Sequence, residues 1–299
     1  MARYTVADGL IEAVAALGIA SADDVRSAWD AVCHMCGNPL DGRGILTDAE
    51  SSPKLSHDGG LAVRGAVVYL RQGVNGGHGN YCPALDAGCV GCYGTGGRAR
   101  FDSRINAARQ RRLDLHATNP RAYMLGLACE VMHLAHRAAD GETVAVRLNG
   151  LSDWMWESQP CGDADNIMVA FPSVQFYDYT RIPGRLARYN RAGWPVNYDL
   201  TFSLGADNDR IAHRALAEGV RVAVVMRTDA GGNIPIMWGG VPTIDGDAHD
   251  WRFTEPGGII VRLKPKGDAR HDKTGWVRDA DAGLELHRVP TLGRIIATA

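Results

Sequence analysis

Gly77-His78-Gly79-Asn80-Tyr81-Cys82-Pro83-Ala84-Leu85-Asp86-Ala87-Gly88-Cys89-Val90-Gly91-Cys92-Tyr93-Gly94 is the stretch around which the chain reads. Three cysteines fall within eleven residues. Glycine is dense, so the backbone can wrap closely around something small. Thiolates clustered in this way hold a metal ion or an iron–sulfur cluster, or form a disulfide. Cys89-x-x-Cys92 can chelate one ion from a single turn, and Cys82 adds a third ligand from the loop. Buried, unreactive cysteine is the plainer reading, and three in one Gly-rich loop argue against it.

Composition sets the bounds. The chain has 299 residues, 45% apolar and 22% charged, which suits a folded globular protein of one or two domains. No apolar run approaches the roughly 18 residues that a membrane span needs. Met1 to Asp8 lacks a long apolar core, so no secretion signal is read there. A reducing cytosol is therefore expected, which demotes the disulfide reading. The net charge of −2 creates no global field for nucleic acid, so any such binding needs a local patch.

Upstream of the cysteines, residues 8 to 18 and Ser21 to about Val32 carry helical spacing, with Ser21 as N-cap. Cys33-x-x-Cys36 follows. It reads as half of a four-cysteine zinc site with Cys89 and Cys92, as a satellite of the main cluster, or as a reduced thiol pair. Residues 41 to 60 read as a loop. The expected organisation is a helical N-terminal extension over 1–60 and a catalytic domain over 61–299. Ala62 to Leu70 reads as a strand leading into the cysteine loop. Behind the loop, Arg98 to Arg112 is an arginine-rich helix that includes Arg100, Arg104, Arg109 and Arg111. It is either a solvated face or a phosphate-contacting one. Asn119-Pro120 breaks it from a second helix, Arg121 to Ala138, with Cys129 in the core.

Downstream the chain becomes rhythmic. Val144–Asn149, Val174–Thr180, Val196–Phe202, Val220–Met226 and Ile259–Leu263 read as strands, with helical segments between most of them, clearest at Asp209 to Glu218. This alternation predicts an α/β fold with a parallel sheet. Counting the strand before the cysteines, there are about six parallel strands, which suggests a partial βα barrel with its site at the C-terminal strand ends. Those ends are polar. Asp153 can act as base, nucleophile or ligand-orienting group. Arg147, Arg181, Lys264 and Lys266 can hold phosphate or carboxylate. Asp178 and Asp199 lie within strands, where acids are depleted, and are expected to face into the barrel with partners. Asp245-Gly246-Asp247-Ala248-His249-Asp250 is either a divalent-cation site or a hydrogen-bonded turn.

Together, Cys82-x6-Cys89-x2-Cys92-Tyr93, Arg147 to Asp153, Phe176 to Arg181 and Asp245 to Asp250 resemble a widespread family of phage-encoded proteins, over roughly residues 60 to 275. That family is in turn similar to radical S-adenosylmethionine (SAM) enzymes, whose cysteine motif follows the first strand of a six-unit barrel. Those enzymes use Cys-x3-Cys-x2-Cys; here the first gap is six residues. The resemblance implies a [4Fe–4S] cluster on Cys82, Cys89 and Cys92 with SAM, and a nucleic-acid base or nucleotide as substrate. A second resemblance is to deazaguanine transglycosylases, which are barrels with a zinc site. It implies zinc on the three cysteines and His78, with Asp153 and Asp199 as the catalytic acids.

The leading expectation is an iron–sulfur, radical-SAM-like enzyme in the cytoplasm of a phage-infected bacterial host. Its catalytic acids would be Asp153, Asp178 and Asp199. Arg104, Arg109, Arg111, Arg147, Arg181 and Lys264 would contact substrate or phosphate. Cys82, Cys89 and Cys92 would hold the metal, with Cys33, Cys36 and His78 as further candidates. The alternatives are the zinc transglycosylase and a non-catalytic binder of nucleic acid or a host factor, with structural zinc.

Overall fold

The computed structural model describes residues 44–49, 60–72, 76–83 and 102–284. The expected N-terminal helices, Cys33, Cys36, Cys89, Cys92, Arg98 and Arg100 lie outside those residues. Nine strands form one sheet: β1 (Leu46–Asp48), β2 (Val63–Val68), β3 (Thr143–Arg147), β4 (Gln175–Thr180), β5 (Tyr198–Ser203), β6 (Arg221–Val225), β7 (Met237–Trp238), β8 (Val241–Asp245) and β9 (Ile260–Leu263). Their order is β1-β2-β3-β4-β5-β6-β9-β8-β7. From β2 to β6 and on to β9, each neighbour is parallel.

The six expected parallel strands are thus present, side by side in chain order. The sheet is wider than expected, however, and it is open. β1 lies antiparallel on β2, inside the stretch read as a loop. β8 adds in parallel to β9 and carries antiparallel β7. The edge strands β1 and β7 do not pair with each other.

Two long helices follow the cysteine stretch, α1 (Ser103–Thr118) and α2 (Pro120–His136). Asp102 caps α1 by accepting from Arg104 N at 2.9 Å. Asn119 serves both helices. Its N–H donates to Leu115 O, and its side chain accepts from Ala122 N at 3.1 Å. Pro120 then occupies the first turn of α2, where its missing N–H costs nothing. Among the described residues there are three shorter α-helices, α3 (Ile167–Ala170), α4 (Pro183–Arg188) and α5 (Asp209–Ala217).

Strand alternation sends the two sides of the sheet to different partners. Ala66, Val68, Val144, Val146, Phe176 and Leu200 join the core built with α2. On the other side, Val67, Ala145 and Tyr177 pack under Trp251. Trp251 belongs to a strap, residues 246–259, that crosses this face between β8 and β9. At Gly65 the strap comes so close that an added Cβ would lie 2.1 Å from the Trp251 ring.

Candidate functional site

The turn after β3 is organised by one side chain, Asn149. Its backbone N–H donates to Asp178 Oδ1 at 2.6 Å, and its Nδ2 donates to Asp178 Oδ2 at 2.9 Å. Its Oδ1 accepts from Ser152 Oγ, Trp154 N and Trp156 Nε1 at 2.7, 2.9 and 3.0 Å. A buried amide with this many partners fixes the turn in one conformation. Gly150 is required there, because a Cβ would lie 2.5 Å from the Tyr69 ring.

The start of the cysteine stretch is stitched to this turn. Asp153 N donates to Tyr81 O at 2.9 Å, and Cys82 Sγ donates to Leu151 O at 3.4 Å. The Tyr81 ring stacks on Trp154 with centroids 4.5 Å apart. Its hydroxyl meets His116 Nδ1 at 2.7 Å. Burial holds the His116 imidazole neutral, with its pKa near 4. Cys82 itself is buried, 8% exposed.

Behind the turn lies a dense charge cluster. Arg185, from α4, is fully buried. It pairs with Asp153 at 3.0 Å, Glu157 at 3.1 Å and Asp178 at 3.7 Å. It also donates to the Tyr198 hydroxyl, which donates to Asp178 Oδ2 at 2.5 Å. Asp153 Oδ2 accepts from Arg181 N at 2.8 Å and Thr180 Oγ1 at 3.2 Å. Arg188 reaches Glu157 from the surface at 2.9 Å. Three carboxylates therefore share one buried guanidinium and one exposed one. Burial pushes the Asp178 carboxyl up to about 6, against the pull of Arg185. Burial also raises Asp153, and Arg185 again offsets it.

The structure separates the expected site residues. Asp153 and Asp178 meet around Arg185. Asp178 does not face the strap side of the sheet, where a barrel interior would lie. It alternates with Tyr177 and points to the helix layer, while Asp199, paired in register with Tyr177, takes the opposite face. Asp199 pairs with Arg221 and accepts from Tyr189 at 3.2 Å. Arg147 is buried on the strap side, 2.8 Å from Asp250 and 4.4 Å above the Tyr179 ring. Arg181 lies over the end of β5, where a Cβ on Gly205 would come within 1.8 Å of its Nη2.

The arginine helix does not present one cationic face. Arg104 is exposed and paired with Asp102. Arg109 is buried above Tyr69, and Arg112 donates to Gly44 O at 3.1 Å. Arg111 is half-buried on the same helix. Lys264 uses its backbone N–H on Asp247 at 2.7 Å. The acidic stretch is a turn, with Asp247 N donating to Asp245 Oδ1 and Asp247 also taking Lys266. His78 Nε2 lies 2.9 Å from Asp114 Oδ1.

Among the described residues, no three His, Cys, Asp or Glu side chains gather as a metal site, and no helix is long and apolar enough to cross a membrane. Sequence reading missed Arg185, Glu157, Tyr198 and the hub role of Asn149. A buried Arg two residues after Pro183 has no spacing signal. The family model described as Gene product 88 matches residues 46–280, which spans β1 to β9 and the whole cluster. No curated protein and no solved structure gives a significant match. The chain belongs to the Gene product 88 family.

Proposed function

We propose that this Gene product 88 family member is a phage-type, metal-dependent enzyme on a partial βα barrel, acting on a nucleic-acid base or nucleotide. The cofactor would be a [4Fe–4S] cluster on Cys82, Cys89 and Cys92, with SAM. One observation carries the reading. Cys82 follows β2, the first strand of the parallel array, and its thiol rests on the turn that ends the next, β3, beside Asp153. In open parallel sheets this end of the strands is where ligands bind.

The donor chemistry fits. A thiol, 8% exposed and followed in sequence by two further cysteines, is a soft ligand shielded from water. When bound, the cluster would pass one electron from an external reductant to SAM and so supply radical chemistry. The chain's own residues do the positioning. Asn149 and Gly150 hold the turn against β2, Tyr81 and Trp154 wall it, and Arg185 fixes the Asp153 carboxylate. Arg181, beside the end of β5, is the cation best placed to meet an anionic substrate.

A zinc site of three cysteines and His78 is the second reading, as in a deazaguanine transglycosylase. It draws support from the His78–Asp114 pair, since a carboxylate commonly orients a zinc-ligating imidazole. Purification without oxygen, followed by iron, sulfide and zinc analysis and a visible spectrum, separates the two. Iron and sulfide with broad visible absorption support the first. One zinc with no sulfide supports the second. Neither metal at stoichiometric level overturns both.

A further inference from the structure

A second recess lies at the N-terminal edge of β4 and β5, away from the strand ends that carry Cys82. It is a cleft of 380 Å³ lined by Tyr189, Trp194, Phe253, Gln175, Arg191 and Asp199 among others. This volume lies within the range of small-molecule sites. The walls are aromatic. Trp194 stacks on Tyr198 at 5.4 Å and meets Tyr189 edge-on at 5.6 Å. Val196, also in the lining, is fully exposed at the mouth. Asn190, beside Arg191, holds a left-handed backbone with φ of 58°, a conformation that asparagine tolerates and that is frequent at functional turns.

The floor is a carboxylate used on one side only. Asp199 Oδ2 takes Arg221 and the Tyr189 hydroxyl. Its Oδ1 has no hydrogen-bond donor among the described residues. Oδ1 is itself buried, while the side chain as a whole keeps 15% exposure; the terminal torsion of an aspartate is broad, so rotation can turn Oδ1 to an entering donor. Arg221 already offsets the Asp199 charge, so the carboxylate has little call for a cationic ligand. Arg191 at the rim is 61% exposed and pairs only at 3.9 Å with Glu218, a contact that an entering anion can displace. The fitting ligand is flat, neutral where it meets Asp199, N–H-donating, and anionic at its outer end.

We propose that this cleft binds an amino-bearing purine nucleotide, with its base between the aromatic walls and donating to Asp199, and its phosphate toward Arg191. The site is separate from the cysteine end and does not depend on the metal proposed for it. Calorimetric titration of the full chain with AMP and GMP tests it. Both should bind. Purine riboside monophosphate lacks every ring and exocyclic N–H, and should bind about tenfold or more weaker. Asp199→Asn should weaken AMP to a similar degree. Arg191→Ala removes an exposed side chain whose pair with Glu218 is loose, at 3.9 Å, while Arg214 still holds that glutamate at 2.8 Å, so folding is kept; it should weaken AMP about fivefold and leave adenosine unchanged. No heat with AMP or GMP at millimolar concentration overturns the proposal. So does purine riboside monophosphate binding as tightly as AMP. AMP bound at the cysteine end would ignore Arg191→Ala, and that result also overturns it.

Discussion

Arg185 is where the charge balance of the site is decided. Its guanidinium is fully buried and serves Asp153, Glu157 and Asp178. Replacing it with Met keeps the volume and strands three buried carboxylates. Breaking a buried pair from one side costs about 3–5 kcal/mol. Arg185→Met should lose that much stability at pH 7 in urea unfolding and less at pH 5, where Asp178, already raised to about 6, takes up a proton. An equal loss at both values would show that charge is not the cause. Glu130 gives a second pH signature. Its carboxylate accepts from Ile45 N and Leu46 N, each at 2.7 Å, and burial raises its pKa to about 7 from 4.5. The folded state therefore binds the proton more tightly than the unfolded chain. The resulting stability is present below pH 4.5 and is lost as pH rises to about 7. His116, lowered to about 4, works in the opposite direction, losing stability as pH falls from 6.5 to 4. Only the difference between wild type and Glu130→Gln isolates the glutamate. Between pH 4.5 and 7 the wild type should lose stability relative to Glu130→Gln, by on the order of a few kcal/mol. A pH-independent difference would refute the assignment.

At the scale of elements, the parallel strands were legible and the edges were not. Val144-Ala145-Val146 and Val222-Ala223-Val224 are apolar on both faces because both faces are covered, and such runs read directly from sequence. The helix break at Asn119-Pro120 was equally plain, since one residue caps both helices. β1 is three residues long in a Gly/Asp/Ser-rich stretch, and β8 carries Pro242, a residue tolerated near sheet edges that hides a strand from pattern reading. The polar strand ends announced a site, but alternation alone did not say which acid faced which side. One residue of phase puts Asp178 among the helices and Asp199 across the sheet. At Gly65 the strap lies against the sheet with no room for a side chain. Gly65→Ala should drive a methyl into the Trp251 ring, 2.1 Å away. Overpacking of this kind typically costs about 1–3 kcal/mol. A thermal midpoint equal to wild type would mean that the strap moves aside freely.

At the scale of the whole molecule, the strap links β2, the first strand of the parallel array, to β9. β2 and β9 are separated by four intervening strands in the sheet. Trp251 nevertheless packs on Val67, Ala145 and Tyr177 from a segment that leads straight into β9. Asp250 and Arg147 reinforce the junction at 2.8 Å, with the Tyr177 and Tyr179 hydroxyls each 3.4 Å from the same carboxylate. The edge strands share no ladder, so cooperativity rests on the cores that span neighbouring strands and on the strap. The strap adds a direct tie across the array, so wild-type unfolding in urea should be a single transition seen alike by tryptophan fluorescence and far-UV circular dichroism. Trp251→Ala removes the largest side chain at the junction and should cost about 3–5 kcal/mol through lost burial and a cavity. The variant should also begin to separate the two probes. Emission from the remaining tryptophans, Trp154, Trp156, Trp194 and Trp238 among them, would change at a different urea concentration from the secondary structure, and the apparent m-value would fall as cooperativity weakens. Two resolved transitions in the wild type would show that the halves fold independently. A Trp251→Ala variant with an unchanged midpoint would show that the junction is held elsewhere.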